Sequence, residues 1–82
     1  MINILFFARL REVVGQGSIQ YQPSLVKPLT VKLVLEEMKF QFIRLQDEKN
    51  IKAALNQELL TDWNTPVQDG DEIAFFPPIT GG

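Results

Sequence analysis

The 82-residue sequence has no cysteine and no histidine. The first absence removes any disulfide framework and any thiolate nucleophile. The second removes imidazole bases, and together they remove the usual zinc ligands. Ser18 and Ser24 therefore have no histidine to activate them, and a self-sufficient small enzyme is not expected. Long hydrophobic runs are also missing, with no stretch approaching the ~18 apolar residues that span a bilayer. The opening Met1-Ile2-Asn3-Ile4-Leu5-Phe6-Phe7 lacks a basic leader and a small-residue cleavage site, so it reads as a strand and not a signal peptide. A cysteine-free chain of this kind suits the cytoplasm.

Positive charge is missing from the last third of the chain. All eight Lys and Arg residues lie between Arg9 and Lys52, whereas Glu58, Asp62, Asp69, Asp71 and Glu72 follow with no cation among them. The net charge of −2 thus hides an acidic C-terminal segment. Such a segment disfavours nucleic acid as a partner and favours a protein with a basic pocket. An ordinary solvated acidic face accounts for the charge equally well.

What is present points to one α+β domain. Eighty-two residues have room for one core, and a hydrophobic content of 45% fits a globular fold. Residues 2–8 alternate, with Ile2, Ile4, Phe6 and Ala8 on one side and Asn3, Leu5 and Phe7 on the other, predicting a central strand. Arg9 to Val14 predicts a short helix or turn ending at Gly15. Ile19-Gln20-Tyr21 predicts a second strand that pairs with the first through the Gly15-Gln16-Gly17 loop. Pro23 and Pro28 bracket a connection that cannot belong to a sheet interior.

The main helix begins after Thr30, a good N-cap residue. Val31, Leu35, Met38, Phe42 and Leu45 form one apolar stripe, which Leu33, Val34, Phe40 and Ile43 widen. Core packing is the expected role of such a stripe. Ile51 to Asn56 predicts a third strand, and Glu58 to Leu60 a short partner after a turn at Asn56-Gln57. Asp62 to Asp69 reads as loop, Asp69-Gly70-Asp71 as a turn, and Glu72 to Phe76 as the last strand. Asp69-Gly70-Asp71-Glu72 lacks the ligand ladder of a calcium loop, so no metal site is expected there. Trp63 either closes the core edge or meets a partner. Placing the last strand beside the first gives a β-grasp, or ubiquitin-like, roll over residues 1–76: a mixed sheet packed on one main helix.

Residues 77–82 form the extended C-terminal tail. Pro77-Pro78 ends the last strand, favours polyproline II and directs the chain away from the sheet. Six residues from Pro77 reach roughly 20 Å, enough to enter a neighbouring protein's active site. Ile79 offers an apolar anchor and Thr80 a hydroxyl. Gly81 and Gly82 allow narrow walls to approach the backbone and leave an unbranched carboxylate at the end. A frayed end of small residues is the plainer reading. On the uncovered sheet face Phe7 and Phe76 are expected on adjacent strands, with Leu59 a third member, suggesting an interface. A loop or the tail covering them is the alternative.

The runs Leu5-Phe6-Phe7-Ala8-Arg9-Leu10-Arg11-Glu12-Val13-Val14-Gly15, Leu55-Asn56-Gln57 and Asp69 to Gly82 together resemble the small subunits of molybdopterin synthase. Terminal Gly-Gly is shared by all ubiquitin-like carriers, whereas Phe-Phe-Pro-Pro ahead of it is more specific. The resemblance spans essentially the whole chain, although Gln16 to Leu29 adds nothing to it. It implies that an ATP-dependent adenylating enzyme activates the Gly82 carboxylate and that a sulfur donor protein then leaves a thiocarboxylate there. The sulfur goes to cyclic pyranopterin monophosphate in the large subunit, within a heterotetramer of two small and two large subunits.

By the same resemblance Gly82 carries covalent sulfur and Gly81 permits threading, while Phe7, Leu59 and Phe76 match hydrophobic contact positions. Pro77, Pro78, Ile79 and Thr80 belong to the inserted tail. No cofactor is expected on this chain, no enzymatic activity on its own, and neither a nucleic acid nor a membrane as partner. The residues acting on the pterin are expected on the large subunit. The alternatives are a sulfur donor for thiazole synthesis or tRNA thiolation, a modifier forming isopeptide bonds, and an interaction domain whose tail does no chemistry.

Overall fold

Apolar alternation at Ile2, Ile4 and Phe6 produces β1 (Ile2–Phe6), whose three core-facing side chains are buried. The computed structural model of the protein describes residues 1–22 and 28–78. β1 stops two residues before the predicted end of the alternation. Ala8, expected on the strand's core face, instead takes φ +51° and opens α1 (Ala8–Val14). The turn brings Leu10 into the core at 0% exposure. Burying a leucine contributes roughly 1.5–3 kcal/mol, enough to offset about 1–2 kcal/mol for one left-handed residue. Gly15 ends α1 at φ +88°, where its N–H donates to the Arg11 carbonyl at 2.9 Å.

β2 (Ser18–Tyr21) runs antiparallel to β1, with Ile19 opposite Ile4 and Tyr21 opposite Ile2. Of the two bracketing prolines, Pro23 lies outside the described residues, as does Ser24. The chain beyond is pinned by the Val67 N–H to the Leu29 carbonyl at 2.8 Å and a bridge between Thr30 and Pro66.

Thr30 caps α2 (Val31–Gln41): its hydroxyl accepts from the Leu33 N–H at 3.3 Å, satisfying one orphan donor of the first turn. Thr30→Ala is expected to cost about 1 kcal/mol in urea unfolding, without changing the slope of the transition. Val31, Val34, Leu35 and Met38 are buried. The helix ends before the predicted stripe does. Phe42 leaves helical geometry at φ −117°, ψ 87°, and a 3-10 helix (Ile43–Asp47) carries Leu45 into the core.

Phe40 and Ile43, expected to widen the buried stripe, are 80% and 70% exposed. Phe40 lies two residues, or about 200°, around the helix from buried Met38, and the break at Phe42 turns Ile43 outward. Trp63 closes the core edge. Its ring is partly buried against the core, and its carbonyl accepts the Lys32 N–H at 2.9 Å.

β3 (Lys52–Leu55) and β4 (Glu58–Leu59) form a hairpin across Asn56 and Gln57, at φ +50° and +70°. Two positive φ values match the twist of the flanking strands. The chain then crosses to the Gln68–Asp71 turn, where Gly70 takes φ +91° and the Met1 ammonium pairs with the Asp69 carboxylate. β5 (Glu72–Phe76) inserts parallel to β1 and antiparallel to β3, giving the order β2-β1-β5-β3-β4. Ile73 and Phe75 face the core, and the Phe75 ring centroid is 6.0 Å from that of Phe6. This is the mixed-sheet β-grasp roll, with helical segments on one face only.

Candidate functional site: the open sheet face and the tail

The face opposite the helices is built in rows by strand register. The first row is polar: Gln20, Asn3 and Glu72 lie side by side. Gln20 Nε2 donates to Asn3 Oδ1 at 3.2 Å, and Asn3 Nδ2 donates to Glu72 Oε2 at 3.4 Å. Asn56 closes this end, its Oδ1 accepting the Glu72 N–H at 2.9 Å and its Nδ2 donating to Asp71 Oδ1 at 3.1 Å. The polar groups satisfy one another along the row.

The second row runs Ser18, Leu5, Ala74, Ala54 and Leu59. After Ser18 it is wholly apolar. The third row contains Phe76 with Lys52 beside it. Phe7 continues this row, because its N–H donates to the Phe75 carbonyl at 3.1 Å and so extends the parallel ladder past Phe6. Phe7 is 48% and Leu59 69% exposed, whereas Phe76 is half-buried. Lys52, Leu59, Leu60 and Phe76 line a shallow depression of ≈ 270 Å³. The sheet face is thus polar at one end and apolar at the end from which the chain leaves as Pro77-Pro78.

The structure therefore brings Phe7, Phe76 and Leu59 onto one face, as the alternation predicts. The residues that join them into a surface, Leu5, Ala74 and Ala54, were not singled out as contact residues. The signal was present for two of them, since Leu5 shares a strand face with Phe7, and Ala74 with Phe76. Ala54 gives no such signal, because two successive alanines carry no alternation. Pro77 and Pro78 are half-buried beside the third row. Ile79, Thr80, Gly81 and Gly82 lie outside the described residues.

Charge at this end is sparse. Arg9, at the start of α1, donates from Nε to Glu48 Oε1 at 2.8 Å, tying α1 to the segment after the 3-10 helix. The hydrogen bond to Glu48, with its charge, raises the Arg9 pKa above its already high ordinary value, so Arg9 stays cationic. Among the described residues no cluster of acidic side chains is placed to hold a metal ion, and no helix is long and apolar enough to cross a membrane. The face has no convergent nucleophile and base.

A sequence model described as the ThiS family matches residues 4–82. The molybdopterin synthase sulfur carrier subunit of Escherichia coli is 42% identical over 86 residues, covering 100% of both chains. Small archaeal modifier protein 3 of Haloferax volcanii is 33% identical over 92 residues, covering 99% of this chain and 98% of that protein. In a solved complex of subunits 1 and 2 of the molybdopterin-converting factor from Helicobacter pylori, one chain superposes with a TM-score of 0.68 at 23% identity. That match covers 99% of this chain and 97% of the other, and it bears on the fold. The family match runs from residue 4 through the Phe-Phe-Pro-Pro-Ile-Thr-Gly-Gly ending: the chain belongs to the ThiS family.

Proposed function

We propose that this protein is the sulfur carrier subunit of molybdopterin synthase, working in the cytoplasm through its C-terminal carboxylate. The observation that carries this reading is the pairing of a slender Gly-Gly tail with an apolar sheet face at its root, on a chain that has no cysteine and so can hold carried sulfur only at a carboxyl group. The full-length relative from Escherichia coli supports the same pathway. A carboxylate resists attack because its leaving group would be oxide. Adenylation by an ATP-dependent partner releases pyrophosphate and makes AMP the leaving group. A sulfur donor protein then delivers a hydrosulfide equivalent to the carbonyl carbon, AMP departs, and Gly82 ends in a thiocarboxylate.

The body of the domain presents this group and the apolar face docks it. Leu5, Phe7, Ala74, Phe76 and Leu59 bury against the large subunit, with each aromatic contributing roughly 1.5–3 kcal/mol. Pro77 and Pro78 aim the tail outward, and Ile79 and Thr80 hold its register in a channel that Gly81 and Gly82 are thin enough to pass. The sulfur transfers to the cyclic pyranopterin monophosphate, and the tail returns as a carboxylate for recharging. Two deliveries complete a dithiolene, which suits an assembly of two small and two large subunits. Groups acting on the pterin reside on the large subunit, and this chain holds no cofactor of its own.

Intact-mass measurement of the protein from a cofactor-making cell tests the reading. Exchanging one terminal oxygen for sulfur adds about 16 Da. Fragmentation is expected to place it on Gly82 and not on Met1 or Met38, where oxidation adds nearly the same mass. The modifier reading is favoured by the archaeal relative, and it predicts conjugates of higher mass that vanish when Gly82 is removed.

A further inference from the structure

Lys52 stands in the third row of the open sheet face, in register with Phe76. It is the only cation among the strand residues of that face, where Gln20, Asn3, Glu72, Ser18, Leu5, Ala74, Ala54, Leu59 and Phe76 supply the other positions. The face's single acid, Glu72, lies two rows away, and its carboxylate accepts from Asn3 Nδ2 at 3.4 Å. Among the described residues no carboxylate pairs with Lys52, and the ion pairs formed elsewhere are Met1–Asp69 and Arg9–Glu48. Lys52 is also one of the four residues lining the depression, with Leu59, Leu60 and Phe76.

Such a site has a definite complement. Burying the face against a flat apolar surface would strip water from the ammonium without replacing its hydrogen bonds, at a penalty of several kcal/mol. Interface cores are depleted of lysine for this reason. A depression of ≈ 270 Å³ with three apolar walls and one cationic wall fits a side chain with an aliphatic stem and a carboxylate end. We infer that the depression beside Phe76 receives an acidic side chain, a glutamate or aspartate, from the large-subunit surface, and that its pairing with Lys52 sets which partner this carrier accepts. The inference rests on the docking role proposed above for the apolar face.

Calorimetric titration of the full-length chain against its purified large subunit, at low salt and at about 1 M salt, tests it. Lys52→Glu places two carboxylates together and is expected to raise Kd at least tenfold at low salt. At 1 M salt, where the screening length falls to about 3 Å, the deficit shrinks severalfold. Lys52→Arg retains wild-type Kd within about threefold. A Lys52→Glu Kd within twofold of wild type overturns the inference, as does a deficit equal at both salt concentrations. So does tighter binding by Lys52→Met, the mark of an apolar occupant. Phe76→Ala separates the two levels: if it weakens binding while the Lys52 variants do not, the docking face stands and the acidic occupant falls. If neither matters, the docking face itself is lost.

Discussion

Removing Gly82 alone is expected to abolish dithiolene formation while leaving the melting temperature of the domain unchanged. The described fold ends its last strand at Phe76, so the deletion lies six residues beyond any ladder hydrogen bond. The truncated tail still ends in a glycine carboxylate, that of Gly81, and the chemical group at its tip is the same. What changes is reach. One residue shortens an extended tail by about 3.3 Å. Reacting atoms must approach to about 3–3.5 Å, and a displacement of about 1 Å already costs on the order of 100-fold in rate. The loss applies twice, at adenylation and at sulfur transfer. Two assays separate the steps: pyrophosphate release with the activating enzyme, and dithiolene formation from a chemically prepared thiocarboxylate. Normal rates in both would remove the tail from the mechanism.

Much of this arrangement was legible in the residues, and the parts that were not have physical causes. β5 reads directly from Glu72 to Phe76, because alternation and the preceding Gly70 turn agree. Thr30 marked the start of α2 for the same reason, a cap followed at once by a periodic stripe. The end of β1 misled because alanine is apolar in either setting. Ala8 continues the alternation, and only the burial of Leu10 shows that the chain must turn. Phe40 and Ile43 misled because hydrophobicity places a residue on a stripe only while the helix lasts, and the break at Phe42 is a tertiary event. The contact face was half visible. Alternation within a strand says which side a residue faces, but the row Leu5–Ala74–Ala54–Leu59 exists only once register is known. Lys52 was invisible as a site residue for that reason: its neighbour Phe76 is 24 positions away in sequence.

Phe75→Ala and Phe76→Ala, one peptide bond apart, are expected to fail in opposite ways. Phe75 is 0% exposed and packs its ring on that of Phe6, which in turn meets Phe42 edge-on at 6.2 Å between centroids. Truncating it removes the transfer energy of a phenyl group and leaves a cavity in the central strand, at a cost of about 3–5 kcal/mol. Against a total stability of about 5–15 kcal/mol, that is a large fraction of what holds the domain folded. Phe76 points to the open face, half-buried beside Lys52 and Leu59. Its loss should cost the isolated domain less than about 1 kcal/mol, as expected for a surface change with no cavity. The same substitution removes roughly 1.5–3 kcal/mol of burial from the complex, a weakening of about one to two orders of magnitude in Kd. Urea melts of the isolated domain and calorimetry with the large subunit give the two numbers for each variant. If Phe76→Ala unfolds the domain as Phe75→Ala does, Phe76 is core, and the open face has lost its central anchor. If the two energies separate as argued, the alternation of one five-residue strand divides the protein's labour, with stability on one side of the sheet and recognition on the other.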